Sequence, residues 1–417
     1  MSSPAVSCIF GIILLACITI PVAQAVEPLW IVNTSPDLDL TGVAISADGS
    51  TIVAGGDRLT AVSRDGKKLW SGWSGELLEI SRDGSYIITS MGPFVRLFDS
   101  QGRNLWEHSI GETVTDISIT PDGLIIAAGG GSVVRSWFNS GAGLGSNISI
   151  KVKHLRISPA KDQIVVTTER ALRSFSLSYV PFWDDEDLSS DLIGISADGT
   201  HIVTASGNRI WLYHGSGTRL WDRHVQGGNI LSLAYSRDGS TIVTGQDDNT
   251  ITVLDQNGNV LWTAKAGFWV MSVGLSDNGS VIAAGSMDKK MYIFDRKGTL
   301  LGTFQAAGMI KSRSVGVSGD GSRIVVVDGT NVYGFSLSQF SRSTPSVTSR
   351  VTGNRSAVTM NKTLSPVTAP AVVPISLPGT EHPVTHIPAT TQQSGIPWIL
   401  SLIPVAVIAF IRQKRRT

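Results

Sequence analysis

Residues 43–53 read VAISADGSTIV, which is an apolar run, then Ser46, then an Asp48-Gly49 turn, then a second apolar run. Variants of this phrase recur at 78–88, 117–127, 155–166, 193–203, 233–243, 273–283 and 315–325. The Ser or Thr before each turn stands at position 46, 81, 120, 158, 196, 236, 276 or 318. A repeat of roughly 40 residues built from apolar runs and tight turns predicts one four-stranded β-blade per copy.

Residues 230–263 show the strands of one repeat most clearly. Apolar and β-branched runs at 230–236, 241–244, 250–255 and 260–263 are separated by turn residues such as Asp238-Gly239 and Asn257-Gly258. Glycine supplies the positive φ that such turns require. We therefore predict an all-β fold, a β-propeller of eight four-stranded blades, with a seven-bladed ring as the alternative.

A tryptophan recurs in the fourth strand, each time directly after Leu and shortly after a glycine turn. The residues in this position are Trp70, Trp106, Trp221 and Trp262. A large flat side chain at the outer strand is suited to packing on the next blade, so we predict a structural role. The eighth repeat ends near Leu337 without such a strand, whereas residues 28–32 supply a spare one that contains Trp30. The sequence thus predicts that the N-terminal strand completes the last blade and closes the ring.

Two kinds of segment resemble known repeat families. FDSQGRNLW (98–106) and LDQNGNVLW (254–262) resemble the tryptophan-docking repeat of pyrroloquinoline-quinone (PQQ)-type propellers, and YSRDGS (235–240) resembles a WD repeat. Over residues 29–340 the chain is similar to the PQQ-like and WD-like repeat proteins of archaeal cell surfaces. The resemblance implies a propeller. Quinoprotein dehydrogenases of this family hold their cofactor beside a vicinal cysteine pair, which this chain lacks, so we expect no cofactor.

The N-terminal segment, residues 1–25, has the features of a secretory signal peptide. It contains an apolar run from Cys8 to Ile20 and the small-x-small sequence Ala23-Gln24-Ala25. Both cysteines of the chain, Cys8 and Cys17, lie inside it. The mature chain is therefore expected to have no disulfide, no thiolate nucleophile and no cysteine metal site. An uncleaved anchor and a lipoprotein site at Cys17 are the alternatives.

The C-terminal part of the chain has the composition of a stalk and an anchor. Residues 341–395 are rich in Ser, Thr and Pro, which is typical of an extended stalk. Residues 396–411 are apolar and precede a basic tail at 412–417, which predicts a transmembrane helix with a cytoplasmic end. We expect a single-pass protein of the cell membrane whose ectodomain, residues 26–340, lies outside the cell. The alternative to a transmembrane helix at 396–411 is a buried C-terminal helix.

Five sequons are candidate N-glycosylation sites of an exported glycoprotein. They begin at Asn33, Asn147 and Asn278 in the repeat region and at Asn354 and Asn361 in the stalk.

Charge and motifs favour binding over catalysis. The formal net charge is +1, so there is no electrostatic case for nucleic acid. The seven histidines form no zinc signature, and the sequence has no nucleophile elbow, P-loop or dinucleotide fingerprint. The acidic run at 184–187 is expected to be a solvated loop, because its spacing does not match a calcium loop. We expect no catalytic residue, cofactor or metal.

The leading hypothesis is a non-catalytic, membrane-anchored module that binds or scaffolds an extracellular protein or an envelope glycan. In a propeller, the loops that join blades and the loops between second and third strands share one face, where aromatic and charged side chains suit a partner. The candidate residues on that face are Trp73, His108, Asp247, Asp248, Phe268, Trp269, Met287, Lys289 and Lys290. The alternatives are an exported oxidoreductase or lyase that uses the central funnel and a purely structural envelope glycoprotein.

Overall fold

The structure is a computed structural model that describes residues 25–34, 39–160 and 162–340, without the side chains of Ser146 and Asn147. Within these residues the chain forms eight four-stranded antiparallel sheets, so the prediction of eight blades is confirmed. Residues 1–24, the stalk, the apolar segment 396–411 and the basic tail lie outside the described residues. In the described part of the chain, no helix is long and apolar enough to cross a membrane.

The strands follow one another in chain order, and each blade is built from four of them. The first strand is β1 (Trp30–Asn33). Blade 1 contains β2 (Leu40–Ile45), β3 (Thr51–Gly56), β4 (Leu59–Ser63) and β5 (Lys68–Gly72). Blade 2 contains β6 (Leu77–Ile80), β7 (Tyr86–Met91), β8 (Phe94–Asp99) and β9 (Asn104–Ser109). Blade 3 contains β10 (Asp116–Ile119), β11 (Ile125–Gly130), β12 (Val133–Phe138) and β13 (Gly143–Ser149). Blade 4 contains β14 (His154–Ile157), β15 (Gln163–Thr167), β16 (Leu172–Ser176) and β17 (Pro181–Asp185).

The second half of the ring repeats this arrangement. Blade 5 contains β18 (Leu192–Ile195), β19 (His201–Ser206), β20 (Arg209–His214) and β21 (Arg219–His224). Blade 6 contains β22 (Ile230–Tyr235), β23 (Thr241–Gln246), β24 (Thr250–Asp255) and β25 (Val260–Lys265). Blade 7 contains β26 (Val270–Leu275), β27 (Val281–Ser286), β28 (Lys290–Asp295) and β29 (Leu300–Gln305). Blade 8 contains β30 (Val315–Val317), β31 (Arg323–Val327), β32 (Asn331–Ser336) and β1, and α1 (Leu337–Phe340) follows β32.

The N-terminal strand closes the ring, as the sequence predicts. β1 pairs antiparallel with β32, with Trp30 opposite Gly334 and Asn33 opposite Asn331. The first strands of successive blades contact one another around the centre, and β2 of blade 1 contacts β30 of blade 8. The last blade is therefore built from both ends of the repeat region, and the ring has no open edge between its first and last blades.

The hydrophobic core lies between blades, because both faces of the middle strands are covered. Ile52 and Val53 are neighbours in β3, point to opposite faces, and are both fully buried. Between blades 2 and 3, Leu97 packs in one cluster with Ile117 and Ile126. A sheet covered on both faces explains why the second strands are continuous apolar runs without polar alternation.

All five predicted structural tryptophans, and Trp183 in addition, bridge two blades. Each indole Nε1 donates a hydrogen bond to a backbone carbonyl in the turn between the third and fourth strands of the next blade. These bonds join Trp30 to Arg64 O (3.0 Å), Trp70 to Ser100 O (2.9 Å), Trp106 to Asn139 O (2.9 Å), Trp183 to Gly215 O (2.8 Å), Trp221 to Gln256 O (2.9 Å) and Trp262 to Arg296 O (3.0 Å). The turn also carries a glycine under the ring. At Gly66, a Cβ atom would lie 2.4 Å from Trp30 Cγ, so only glycine leaves room for the indole.

Trp183 is a further docking tryptophan, which follows Phe182 instead of the Leu found in the other repeats. It lies in β17, and the acidic run that was expected to be a loop begins inside this strand at Asp184 and Asp185. Asp185 Oδ2 accepts a hydrogen bond from Tyr213 Oη at 2.8 Å, in the neighbouring blade. The expectation of a wholly solvated loop at 184–187 is therefore wrong for its first two residues, because the docked indole holds them in the outer strand.

The junctions after blades 3 and 7 use other aromatic side chains. Tyr179, in the turn of blade 4, reaches back and its Oη lies 2.7 Å from Ser136 Oγ of blade 3. Between blades 7 and 8, Phe304 packs against Phe335 with ring centroids 4.9 Å apart, and Phe335 packs against Phe340 of α1. Every junction described is thus sealed by an aromatic group, even where the repeat is irregular.

Replacing Trp30 with alanine should destabilise the ring. The change removes the docked indole that joins blade 8 to blade 1, and we expect the free energy of unfolding to fall by about 3 kcal/mol. Urea denaturation followed by fluorescence and circular dichroism measures this loss.

The matched control is Leu29→Ala, because Leu29 is the adjacent residue and is half exposed. This variant should change the free energy of unfolding by about 0.5 kcal/mol or less. If both variants unfold at the same urea concentration as the parent, the Trp30 indole does not stabilise the closure of the ring.

Candidate functional site

The ring has two different sides. Successive antiparallel strands are joined at alternate ends, so the turns after first and third strands share one side, which we call the turn side. The connections between blades and the loops between second and third strands share the other, which we call the loop side. The Ser/Thr-Asp-Gly repeats lie on the turn side, and the predicted partner face is the loop side.

The repeated turn on the turn side is a closed hydrogen-bond network. In blade 5, Ser196 Oγ donates to Asp198 Oδ1 at 2.6 Å, while Thr200 N donates to the same oxygen at 3.0 Å. Ser196 Oγ also accepts from His201 N at 3.0 Å. Blades 1, 2, 3, 6 and 8 have the same serine- or threonine-to-aspartate bond. This network explains why the Ser/Thr-x-Asp-Gly spacing recurs in most repeats of the chain: folding of the turn requires it.

Adjacent turns are also tied to one another at the centre of the turn side. Ala47 N donates to Arg82 O at 2.8 Å, and Arg82 N donates to Pro121 O at 2.8 Å. On the opposite part of the ring, Asp277 N donates to Gly319 O at 2.9 Å. Arg82 Nη1 then donates to Asp277 Oδ1 at 2.9 Å across the centre. This arginine–aspartate pair lies across the turn-side mouth of the central channel and narrows it.

A second set of charged residues lies toward the loop side of the channel. The buried carboxylate of Asp116 accepts hydrogen bonds from Arg156 Nη1 at 2.8 Å, Arg313 Nη2 at 3.2 Å and Leu155 N at 3.1 Å. His154 Nδ1 lies 3.4 Å from the same carboxylate. Burial alone would raise the pKa of Asp116, but Arg156, His154 and Arg313 outweigh it and hold the pKa well below its ordinary value. Asp116 is therefore a permanent anion that fixes two guanidinium groups.

Arg156 and Arg313 line a cavity of about 450 Å³ in the loop-side part of the channel. Its wall contains Glu79, Arg156 and Arg313 on one part and Leu231 and Met271 on another. Glu79 Oε2 accepts from Ile119 N at 3.1 Å, and burial raises the pKa of Glu79 despite the nearby Arg156. In the described part of the chain, no group of three or more His, Cys, Asp or Glu side chains is placed to hold a metal ion.

An exposed, stacked aromatic pair lies on the loop side, in the connection between blades 6 and 7. The rings of Phe268 and Trp269 lie 5.4 Å apart at an interplanar angle of 15°. Their side chains are 45% and 43% exposed, and Met309, in the next connection, is 46% exposed. Met287 lies beside the pair, because its backbone N donates to Trp269 O at 3.0 Å. We call Phe268, Trp269, Met287 and Met309 the aromatic surface.

Charged residues of the predicted face surround this surface, but they differ in how many hydrogen bonds their side chains already make within the protein. Asp247 accepts two hydrogen bonds from Asn229, at 2.7 Å from its N and 2.9 Å from its Nδ2. Asp248 accepts from Thr250 N at 3.0 Å and from Lys265 Nζ at 3.1 Å. The two aspartates therefore hold loops in place. Lys289 Nζ donates to Ala307 O, and Lys290 begins β28 with an exposed side chain.

The predicted face residues thus fall into separate groups. Asp247, Asp248, Phe268, Trp269, Met287, Lys289 and Lys290 come together in blades 6 and 7. Trp73 lies in the connection between blades 1 and 2, where its ring packs on Phe98 at 5.8 Å and under the Arg96 guanidinium. His108 belongs to outer strand β9, stacked on Trp137 at 5.4 Å, with Nε2 3.0 Å from Gly141 O. The prediction that His108 lies in a loop of this face is wrong, because its ring packs in a blade junction.

The sequons of the repeat region occupy different environments. Asn33 is exposed at the end of β1. Asn278 takes the place of the aspartate in the turn of blade 7, where its Oδ1 accepts from Ser276 Oγ and Ser280 N at 3.0 Å each. Asn147 lies in β13, and Asn354 and Asn361 lie outside the described residues. Glycosylation at any of these positions stays a prediction.

The fold and this geometry define the chain as an eight-bladed β-propeller. Residues 202–344, which are less than half of the chain, match the family model described as outer membrane protein assembly factor BamB. The C-terminal WD40 domain of Sif2 superposes with a TM-score of 0.65 at 14% identity, covering 76% of this chain and 99% of that chain. Saccharomyces cerevisiae Sqt1 gives 0.63 at 12% identity, covering 75% and 99%.

Another similar structure is Chaetomium thermophilum Sqt1 bound to the N-terminus of ribosomal protein L10. It has a TM-score of 0.59 at 16% identity and covers 73% of this chain and 100% of that chain. A search of the curated proteins found no match. At these identities the likeness establishes the fold, so the propeller part of the resemblance is confirmed and the archaeal cell-surface type stays a prediction.

The turn network predicts a pH effect. Hydrogen bonds from Ser196 and Thr200 lower the pKa of Asp198 to about 2. Because the folded pKa lies below the unfolded value, Asp198 stabilises the fold fully above the unfolded pKa and loses this contribution as pH falls toward 2. Asp198→Asn should therefore unfold more easily than the parent at pH 7, and the difference should shrink between pH 4 and pH 2.

Urea denaturation at a series of pH values measures that difference. Asp65→Asn, at an exposed turn position of blade 1, is the control and should track the parent at every pH. An Asp198→Asn deficit that stays constant down to pH 2 would show that the carboxylate charge is not what stabilises the turn.

Proposed function

We propose that this protein is a non-catalytic binding module that holds a protein partner against the aromatic surface of blades 6 to 8 and is displayed at the cell surface by its C-terminal anchor. The observation that carries the proposal is the exposed stack of Phe268 and Trp269. Large aromatic side chains and methionines are enriched at protein interfaces and supply a large part of their binding energy.

The loops under the aromatic surface are already held in place, which lowers the entropy lost on binding. Gly267 N donates to Asp288 Oδ2 at 2.8 Å, and Ser286 Oγ donates to Phe268 O at 2.9 Å. On the other side, Gly308 N donates to Asp328 Oδ2 at 2.9 Å, next to Met309. Side chains on anchored loops of two neighbouring connections form a preorganised surface.

The chemistry beside the surface favours a polypeptide that presents apolar and acidic groups. Met287 and Met309 are flexible apolar side chains that adapt to a protein partner's contours. Lys289 and Lys290 stand two and three residues after Met287 and place positive charge at the edge, where acidic side chains of a partner would be attracted. An envelope glycan, which would stack on the aromatic rings, is the alternative partner and an outcome of the test below.

Two further observations support binding over catalysis. The charged groups of the central channel form ion pairs with one another: Asp116 accepts hydrogen bonds from Arg156 and Arg313, and Asp277 accepts one from Arg82. Sqt1, a propeller of similar fold, has been solved with the N-terminus of another protein bound, and we extend that general mode, a propeller that binds a polypeptide, to this chain.

Display at the cell surface is the second part of the proposal. It rests on the signal segment 1–25, the stalk 341–395, the apolar segment 396–411 and the basic tail 412–417. The chain leaves β32 at the turn side and continues into Leu337–Phe340.

Site-specific photocrosslinking tests the surface. A benzoylphenylalanine at position 269 of the full chain, in cells that produce it, should crosslink a protein, whereas the same group at position 138 should not. Phe138 is the matched control, because it is also exposed (43%) but ends β12 on the turn side.

Once the partner is identified, its affinity for variants of this protein can be measured. Trp269→Ala should fold as the parent does and weaken binding tenfold or more, which is the usual loss for an interface hot spot. Trp73→Ala and Phe138→Ala should leave the affinity unchanged, because both residues lie away from the aromatic surface. Crosslinks to glycan alone would show that the partner is a glycan and not a protein. Equal crosslinking at positions 269 and 138 would refute the aromatic surface as the binding site. An unchanged affinity of Trp269→Ala would refute it as well.

A further inference from the structure

The central channel has the form of a cup with a narrowed base. At the turn side, Arg82 is bonded to Asp277, and Arg237 Nε lies 4.0 Å from the same carboxylate. Backbone bonds between neighbouring turns tighten this end. The cavity of about 450 Å³ lies on the loop-side part of the channel, and this volume is within the range of small-molecule sites.

The wall of the cup has two chemically different parts. Arg156 comes from blade 4 and Arg313 from the connection before blade 8, and both line the cavity. Leu231 and Leu233 from blade 6 and Met271 from blade 7 form an apolar part of the same wall. The wall therefore offers two guanidinium groups to an anionic group of a ligand and apolar side chains to its body, although Glu79 and Asp191 also line the cavity.

Arg313 is held in a conformation that a side-chain-bearing residue rarely adopts. Its φ is 58°, in the left-handed region, and its carbonyl accepts a hydrogen bond from Val43 N at 2.9 Å. Strain of this kind persists only where surrounding contacts impose it, and it concentrates at functional positions. Here it directs the guanidinium across the channel to Asp116 of blade 3, 197 residues away in the chain.

The guanidinium groups retain capacity for an anion. An arginine has five N–H donors, and the hydrogen bond that Arg313 makes to a side chain uses Nη2. Asp116 is shared between two arginines, so the hydrogen bonds to this carboxylate use only part of the donors of each guanidinium group. Glu79 is a second carboxylate near Arg156, with its Oε1 3.7 Å from Arg156 Nη1, and Asp191 is a further carboxylate of the cavity wall.

We propose that this cup binds a small organic carboxylate with an apolar body: the carboxylate is held by the Arg313 and Arg156 guanidinium groups, and the body packs on Leu231, Leu233 and Met271. Arginine is the side chain best shaped to hold a carboxylate through paired N–H donors. This site is separate from the aromatic surface, so it stands or fails independently of the proposed protein partner.

Hexanoate and hexanamide are the probes, because they share an apolar chain and differ in charge. Isothermal titration of the full chain should show saturable binding of hexanoate and no binding of hexanamide, and acetate should bind at least tenfold more weakly than hexanoate. Arg313→Gln should weaken hexanoate binding tenfold or more. The control is Arg103→Gln, an exposed arginine in a turn of blade 2, which should bind hexanoate as the parent does.

Equal binding of hexanoate and hexanamide, or unchanged hexanoate affinity in Arg313→Gln, would overturn the site. If Arg313→Gln does not fold, the parent chain still decides through the probe series. Selective binding of hexanoate over both acetate and hexanamide supports the two-part wall, and absence of hexanoate binding at millimolar concentration overturns it.

Discussion

The structure depends on one repeated interaction, in which the indole of an outer strand docks on a backbone carbonyl in the turn of the next blade. Six tryptophans make this bond, from Trp30 to Trp262, with donor–acceptor distances of 2.8–3.0 Å. The contact combines burial of a large apolar ring with a satisfied N–H donor, so it fixes both the spacing and the rotation of neighbouring blades. Trp30 carries the same bond across the gap between the chain's first and last repeats.

Closure and docking together leave the loop side free to vary. The turn side is occupied by hydrogen-bonded Ser/Thr-Asp-Gly turns and by backbone bonds between them, so its residues are committed to the fold. The loop side carries connections of differing length and composition, which is where binding residues are usually placed on a rigid scaffold. Phe268 and Trp269 are exposed there, whereas the docking tryptophans are held between blades.

The sequence predicted the elements that repeat and failed where a contact joins distant parts of the ring. Eight copies of one phrase were sufficient for eight blades, and the unpaired Trp30 strand was sufficient for the closure. Trp183 was missed because Pro181 and the acidic run after it hide the Leu-Trp pattern. The sequence places His108 in a loop because the predicted fourth strand ends one residue after its tryptophan, whereas β9 continues to Ser109. The pairing of Arg313 with Asp116 has no local signal, since the two residues are 197 positions apart.

The central claim is that the aromatic surface is covered by a partner when the protein is in its native envelope. Hydroxyl-radical footprinting of the full chain measures this directly, because exposed Trp, Phe and Met side chains are oxidised in proportion to their accessibility. Envelope preparations should be compared with the purified chain, residue by residue. The account predicts protection in the envelope at Phe268, Trp269, Met287 and Met309, with Phe138 and Leu124 on the turn side oxidised equally in both. Equal oxidation of the aromatic surface in both preparations would contradict it.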